Sequence, residues 1–272
     1  MSSDIKRVLS ALFLILFMVG CFVWANAYFF VGLSVVISLG VAHEIFANFL
    51  KEKRVLVRSA ALIILLGIFV TVFMNIYNTD LLVALNWAAL GFIVAQLVYL
   101  FFTPMQYCGF VKSATKGGSV LLGIPLFPIF SMWLLIAGPG WKFKLIVAML
   151  LTYGMDTGAY LSGRMFGKNK LWPSVSPNKT VEGLIGGIIL GTAAGFVAWG
   201  MYYSNWPLRL LLLMPVLCAT SQLGDLFESK LKRQCGIKDS SNLIPGHGGV
   251  YDRVDSLFLV LPIYSLMIHY LF

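Results

Sequence analysis

Ionisable side chains are concentrated near the carboxyl end of a chain that is otherwise strongly apolar. Residues 229–255 read SKLKRQCGIKDSSNLIPGHGGVYDRVD, in which lysines and arginines accompany three aspartates and a glycine-flanked histidine. Ionisable groups close to membrane-spanning segments are costly and are usually kept for a function. The stretch is therefore the first candidate for a catalytic or binding site.

Three carboxylates lie at the two ends of this stretch. Asp225 comes just before it, and Asp252 and Asp255 follow at a spacing of i, i+3, directly before the last apolar segment. If the last helix has begun by then, both aspartates lie on one helix face. Such oxygen ligands suit Mg²⁺, which takes one or two carboxylates and completes its coordination with water and substrate phosphate. We predict Asp225, Asp252 and Asp255 as ligands of Mg²⁺ and as catalytic residues.

Basic side chains around these carboxylates predict an anionic substrate. Four of them are candidate catalytic residues: Lys232, Arg233, Lys238 and Arg253. A metal, basic residues and a glycine-rich turn suit phosphoryl or nucleotidyl transfer, in which the protein positions the reactants and neutralises charge. Four further residues are candidates for substrate binding, although the histidine could equally serve only to shape the turn: Asp239, His247, Gly248 and Gly249.

An earlier apolar segment carries another acidic residue, Asp156, with Arg164 following at the membrane edge. Gly158, Ser162 and Gly163 make one face of this helix small, which lets a neighbouring helix approach closely. Asp156 and Arg164 either contribute to a substrate site or form an ion pair that locks helix packing.

Residues 172–187, WPSVSPNKTVEGLIGG, form a second candidate segment. We predict a turn at Ser176-Pro177-Asn178, and a helix capped by Thr180 with Glu182 in its first turn. A helix start offers free N–H groups and a partial positive charge to a phosphate, and Lys179 adds a full charge. The alternative is an ordinary basic loop before a capped helix. The candidate substrate-binding residues here are Ser176, Lys179, Thr180 and Glu182.

The composition predicts an all-α, polytopic integral membrane protein. Of the 272 residues, 59% are hydrophobic and 11% charged, against about 45–50% and about 25% in soluble domains. A span needs roughly 20 apolar residues, and a helix satisfies its own backbone hydrogen bonds in lipid. We predict nine spans, at residues 8–25, 27–49, 57–77, 81–103, 118–137, 143–163, 181–203, 209–227 and 256–272.

The basic residues predict how these spans are oriented. With a cytoplasmic N-terminus, 17 of the 20 lysines and arginines fall on the cytoplasmic side, as the positive-inside rule requires. The loops at 164–180 and 228–255 then face the cytoplasm. The net charge of +9 is explained by this topology, so no nucleic-acid partner is expected.

Gly138-Pro139-Gly140 marks a predicted boundary between two parts of the chain. Residues 1–140 are expected to form a transmembrane scaffold of about five helices, and residues 141–272 a catalytic membrane domain of about four helices with two cytoplasmic loops. Within the scaffold, His43 and Glu44 are expected to make a polar contact between helices.

Residues 229–255 resemble the signature of the phosphatidate cytidylyltransferase family, also called CDP-diacylglycerol synthases. The matching positions are Ser229, Lys232-Arg233, Lys238-Asp239, Pro245-Gly246-His247-Gly248-Gly249 and Asp252-Arg253-Val254-Asp255. The D-T-G-A-Y-L-S-G-R run from Asp156 to Arg164 and the S-P-N-K-T-x-E-G run from Ser176 to Gly183 are also similar to the family. The first half of the chain resembles it only in having several apolar spans.

The resemblance implies a bacterial inner-membrane enzyme that makes CDP-diacylglycerol and pyrophosphate from CTP and phosphatidic acid, with the active site facing the cytoplasm. It implies Mg²⁺ as cofactor, with room for a second cation, and a homodimer. Lys179 and Arg164 would receive the phosphatidate head group. The triphosphate, or the charge on the leaving pyrophosphate, would be held by Lys232, Arg233, Lys238 and Arg253.

Two other functions compete with this one. A CTP-dependent lipid kinase would use the same nucleotide but transfer its γ-phosphate to an alcohol. A transporter would favour broken helices with charges near the membrane midplane, whereas here the charges cluster at one surface. A purely structural membrane scaffold leaves the polar cluster unexplained.

Overall fold

The computed structural model describes residues 16–51, 55–75, 77–103, 123–244 and 248–272. Its helices are α1 (residues 16–24), α2 (Ala27–Glu44), α3 (Val55–Phe73), α4 (Thr79–Phe102), α5 (Gly123–Ala137), α6 (Trp141–Phe166), α7 (Val181–Tyr203), α8 (Leu208–Cys235) and α9 (Tyr251–Leu271). A π-helical turn, Ile45–Phe49, extends α2, and two strands, β1 (Lys170–Trp172) and β2 (Ser176–Thr180), join α6 to α7.

Seven of the helices in the described ranges are long and apolar enough to cross a bilayer. They are α2 with its π-helical turn, α3, α4, α6, α7, α8 and α9. The helix α5 has 15 residues, fewer than a span needs, and residues 104–122 before it lie outside the described ranges, as do residues 1–15 before α1. The predicted all-helical, multi-pass architecture is confirmed, while the count of nine spans and the cytoplasmic N-terminus stay predictions.

The last two spans are longer than predicted. The helix α8 ends at Cys235 rather than at residue 227, and α9 begins at Tyr251 rather than at residue 256. Hydropathy detects only the apolar part of a helix, which lies in lipid. The helix α8 continues beyond that part, and Lys232 and Arg233 in its last turn favour this extension because positive charges stabilise the C-terminal end of a helix. Gly236, with φ at 69°, then ends α8 because the left-handed conformation suits glycine.

The connection between α6 and α7 is a β-hairpin, so the predicted turn at Ser176-Pro177-Asn178 is wrong. These residues lie in β2, which pairs antiparallel with β1 through Lys170 opposite Thr180 and Trp172 opposite Ser176. The turn occupies residues 173–175 instead. An isolated two-stranded ladder has only edge strands, which tolerate a proline.

The small residues of α6 allow close packing against α7, as predicted. A Cβ at Gly158 would lie 2.8 Å from the carbonyl oxygen of Gly186 and 3.0 Å from the Cα of Gly187, and a Cβ at Gly163 would lie 3.7 Å from the Cα of Gly183. The two backbones are therefore in contact along this face, which fixes β2 and Lys179 relative to α6.

The main apolar core draws on both halves of the chain. Phe30 of α2 and Trp133 of α5 are buried in one cluster with Leu151 of α6, Met214 of α8 and Tyr264 of α9. The division into two domains at residue 140 stays a prediction.

Candidate active site

Three carboxylates meet between α8 and α9. Asp225 and Glu228 lie one turn apart on α8, and Asp255 lies in the second turn of α9. One oxygen of each lies within 4.8 Å of the others. We call Asp225, Glu228 and Asp255 the carboxylate cluster. Three ionised carboxylates at this distance repel one another, and nearby cations reduce this repulsion.

Close contact between the helix backbones brings the carboxylate cluster together. A Cβ at Gly224 would lie 2.8 Å from the carbonyl oxygen of Asp255 and 3.1 Å from the Cα of Ser256. Both atoms belong to the backbone, so moving them would cost considerable free energy. Glycine at position 224 therefore lets α8 and α9 approach closely enough for their acidic side chains to meet.

Two lysines neutralise part of the negative charge. The Nζ of Lys179, at the end of β2, lies 2.7 Å from Oδ2 of Asp225. The Nζ of Lys232 lies 2.7 Å from both Oε2 of Glu228 and Oδ1 of Asp252. Ser229 also donates a hydrogen bond to Oδ1 of Asp225 at 3.2 Å.

Glu228, a member of the cluster, has one carboxylate oxygen without a hydrogen-bond partner in the described part of the chain. Its side chain is 1% exposed, and Oε2 accepts a hydrogen bond from Lys232. Within the described ranges, Oε1 is buried and makes no hydrogen bond. A buried carboxylate oxygen without a partner is unfavourable, and a divalent cation would satisfy it. The donor set of three carboxylates fits Mg²⁺.

Asp252, the third predicted metal ligand, is bound by the linker between α8 and α9 and by Lys232. Its Oδ2 accepts hydrogen bonds from the backbone N–H of Ser240 at 2.9 Å and of Gly249 at 2.8 Å. Gly248 adopts φ of 82°, and a Cβ there would lie 2.6 Å from the same oxygen. Gly248 and Gly249 thus shape a backbone cradle around Asp252.

Asp156 faces the cluster from α6. Its side chain is exposed in the single chain, and its charge interacts with those of Asp225, Lys179 and Arg253. Arg164, two turns further along α6, donates a hydrogen bond to the hydroxyl of Tyr160 at 3.3 Å. Among the described residues there is no ion pair between Asp156 and Arg164, so the structure does not support the alternative in which this pair locks helix packing.

The predicted helix cap at the start of α7 is confirmed. Thr180 Oγ1 accepts a hydrogen bond from the N–H of Gly183 at 3.1 Å. The partly exposed Glu182 binds the preceding loop, since its carboxylate accepts hydrogen bonds from the N–H groups of Lys168 at 3.1 Å and Asn169 at 3.2 Å. These bonds close the loop after α6 onto α7.

The other predicted residues belong to several different elements of the chain. Arg253 is exposed on the first turn of α9, and Arg233 is exposed near the end of α8. Lys238 and Asp239 line an open recess of about 480 Å³ together with Ala47, Asn48 and Lys51. Ser176 begins β2, and His247 lies outside the described ranges.

Comparison with known proteins identifies the family of the chain. Residues 5–271 match the model of the Cytidylyltransferase family. The chain belongs to that family. The predicted resemblance to cytidylyltransferases is thereby confirmed at the level of the family.

Several curated relatives in this cytidylyltransferase family are named phosphatidate cytidylyltransferase. Those of Staphylococcus saprophyticus and Staphylococcus haemolyticus are each 46% identical to this chain over 125 residues, which is 46% of this chain and 48% of the relative. The relative from Staphylococcus aureus is 43% identical over 127 residues, with the same coverage. The chain thus spans about half the length of the curated relatives it matches.

Three residues of this chain that matter structurally were missed or underrated from sequence. Glu228 follows Asp225 at the i, i+3 spacing of a shared helix face, but this signal requires α8 to continue past residue 227. Lys230 lies in the signature yet is 2% exposed; it donates to the carbonyls of Tyr99, Leu100 and Thr103 at the end of α4. Glu44 was expected only to make a polar contact between helices.

Proposed function

We propose that the protein transfers CMP from CTP to phosphatidic acid, which gives CDP-diacylglycerol and pyrophosphate. The observation that carries the proposal is the carboxylate cluster, with its unpartnered Glu228 oxygen and the neighbouring Lys179. Membership of the Cytidylyltransferase family and the names of the staphylococcal relatives support the choice of nucleotide and acceptor.

In the proposed reaction, a phosphate oxygen of phosphatidic acid attacks the α-phosphorus of CTP in line. A new O–P bond forms to the α-phosphorus, the bond from the α-phosphorus to the β-bridging oxygen breaks, and pyrophosphate carries away the electron pair. The attacking phosphate is already a nucleophile, so the protein has mainly to position the reactants and neutralise charge.

Asp225, Glu228 and Asp255 would hold Mg²⁺ in this proposal. When bound there, Mg²⁺ would neutralise phosphate charge and help align the nucleotide with its acceptor. Asp252, which we predicted as a direct ligand, would instead hold Lys232 beside Glu228 through the ion pair at 2.7 Å. A second cation, also predicted, has no assigned ligands.

The basic residues would bind the two anionic substrates. Apart from its ion pair with Asp225, the buried Nζ of Lys179 makes no hydrogen bond in the described part of the chain, so it would have donors left for a phosphate bound at the cluster. Lys232 uses two of its three donors on Glu228 and Asp252, which makes it a fixed positive charge behind the site. Arg164 and Arg253, both exposed on this side of the molecule, are the candidates for the lipid head group and the triphosphate.

The protein is a multi-pass membrane protein, and the charge asymmetry supports a site at its cytoplasmic surface. With 17 of 20 basic residues on one side, that side is cytoplasmic by the positive-inside rule, where CTP is available. The bacterial relatives favour the inner membrane. A homodimer and the lack of any nucleic-acid partner are also part of this proposal.

The deciding experiment compares two radiolabelled nucleotides with the purified full-length protein in phosphatidate-containing micelles. With Mg²⁺, label at the α-phosphorus of CTP should enter the lipid, and label at the γ-phosphorus should leave as pyrophosphate. A lipid kinase would instead transfer the γ label to a lipid alcohol. The proposal would be refuted if the γ label entered a lipid. It would also be refuted if the wild-type protein formed no labelled lipid.

A further inference from the structure

Glu44 is a buried carboxylate that the proposed chemistry does not use. It is the last residue of α2, where the helix passes into the π-helical turn, and it is 2% exposed. A buried carboxylate within a membrane helix is unfavourable unless hydrogen bonds compensate its desolvation. Turns of π-helix are frequent at functional sites.

Four hydrogen bonds from the other end of the chain satisfy Glu44. Its Oε1 accepts from the hydroxyl of Ser241 at 2.6 Å and from the N–H of Val250 at 2.8 Å. Its Oε2 accepts from the hydroxyl of Ser240 at 3.0 Å and from the N–H of Tyr251 at 3.0 Å. All four donors belong to the segment that joins α8 to α9 or to the start of α9.

Two of these donors are free backbone groups at the start of α9. Val250 occupies the N-cap position, and no side chain of its own caps the helix, because valine has no acceptor to offer. The first N–H groups of a helix lack partners within the helix and favour a negative charge beside them. Glu44 therefore acts as the cap of α9, supplied from α2.

The same contacts reach Asp252 and, through it, the carboxylate cluster. Ser240 Oγ lies 3.0 Å from Glu44 Oε2 and 2.9 Å from Asp252 Oδ2, so its single proton can donate to either carboxylate. Asn48, one turn after Glu44, donates to the backbone carbonyl of Ser240 at 2.6 Å. A Cβ at Gly249 would lie 2.6 Å from Glu44 Oε1, so only glycine fits there.

We propose that Glu44 is a positioning residue, which fixes the start and rotation of α9 and thereby holds Asp252 against Lys232 and Asp255 in the carboxylate cluster. The consequence for catalysis rests on the proposed function, whereas the cap itself does not. The first half of the chain would then contribute directly to the geometry of the active site.

The principal test substitutes Glu44→Gln, which keeps the shape but replaces an acceptor oxygen by an NH₂ group that faces donors. Hydrogen–deuterium exchange should increase in the peptide covering residues 248–256, while peptides of α6 and α7 stay protected. Loss of a residue that orients a metal ligand typically costs about 10- to 100-fold. We therefore expect turnover to fall, and the Mn²⁺ dissociation constant measured by EPR titration to rise, within that range, with KM for phosphatidate unchanged.

A partial variant and a control variant accompany Glu44→Gln. Ser241→Ala removes one of the four donors and should change exchange and Mn²⁺ affinity in the same direction but less. Asp80→Asn alters an exposed acid in the first turn of α4 and should match the wild type in both measurements.

The outcomes separate the inference from its alternatives. Unchanged exchange at residues 248–256 in Glu44→Gln would refute the cap. Exchange that rises throughout the protein, with a lower Tm and unchanged Mn²⁺ affinity, would show a purely structural role and also refute the inference. Neither exchange nor Mn²⁺ binding requires turnover, so an inactive wild type would refute the proposed function while leaving the test of Glu44 intact.

Discussion

Lys179, the penultimate residue of β2, places its ammonium 2.7 Å from Oδ2 of Asp225 on α8. The pair joins the hairpin between α6 and α7 to the carboxylate cluster. It also connects two sequence motifs that lie 46 positions apart (179 and 225). The hairpin thus contributes the charged side chain of Lys179 to the site, in addition to joining α6 to α7.

We expect Lys179→Gln to lower kcat/KM about 10- to 100-fold, because a hydrogen bond to a charged group contributes roughly 1.5–3 kcal/mol. Radiolabelled CTP turnover in phosphatidate micelles measures the effect. The control is Lys170→Gln, which removes an exposed lysine of β1 from the same hairpin. Equal activity of the two variants would show that Lys179 does not act on the substrates.

The structure predicts that Glu228 matters more for metal binding than Asp252 does. Glu228→Gln removes the buried acceptor that lacks a partner, so its Mn²⁺ affinity should fall by more than the roughly 10- to 100-fold typical of residues that only orient a ligand. Asp252→Asn should stay within that range, because Asp252 contacts Lys232 and the linker backbone. EPR titration of both purified variants with Mn²⁺ measures this order, and the reverse order would contradict the assignment.

Gly224→Ala tests whether contact between α8 and α9 assembles the site. A methyl group there meets the backbone of Asp255 and Ser256 and should separate the helices. Displacement of about 1 Å can cost roughly 100-fold in rate, so activity should fall by that order. Gly91→Ala on α4, where the new Cβ has nothing within 4 Å, is the matched control. Full activity in Gly224→Ala would mean that the helices need not touch.

Lys230→Met should reduce stability more than it alters substrate binding. The ammonium of Lys230 donates to three carbonyl groups at the end of α4, at 2.5–3.3 Å. Leaving a buried acceptor unpaired costs about 1–3 kcal/mol, so the midpoint of thermal unfolding in detergent should fall. KM for CTP should not change. Lys168→Met, at an exposed position, controls for loss of positive charge, and a KM effect specific to Lys230→Met would indicate contact with substrate.

Local features of the sequence were sufficient for the membrane architecture and for some details of the site. Long apolar runs specify helices, because lipid offers no partners for backbone hydrogen bonds. Thr180 caps α7 through a hydrogen bond with a residue three positions away. The small residues of α6 predict close packing with a neighbouring helix. The signature around residues 229–255 indicated the family before any coordinates were known.

Tertiary structure decided which charged residues meet. Lys230 and Lys232 lie two positions apart and point to different sides of α8, toward the end of α4 and toward Glu228. Their spacing predicts that they diverge, but packing alone determines what each one contacts. Similarly, Asp252 and Asp255 share an i, i+3 spacing, yet Asp255 joins the cluster while Asp252 binds the linker.

The rotation of α9 that separates these roles depends on residues remote in sequence. Gly224 sets how closely α8 approaches, and Glu44 binds the N–H groups of Val250 and Tyr251 from more than 200 positions away. The sequence by itself determined a helical membrane protein and the family to which it belongs. Which three carboxylates form the cluster was determined only by folding, because their distances depend on long-range contacts that no local pattern encodes.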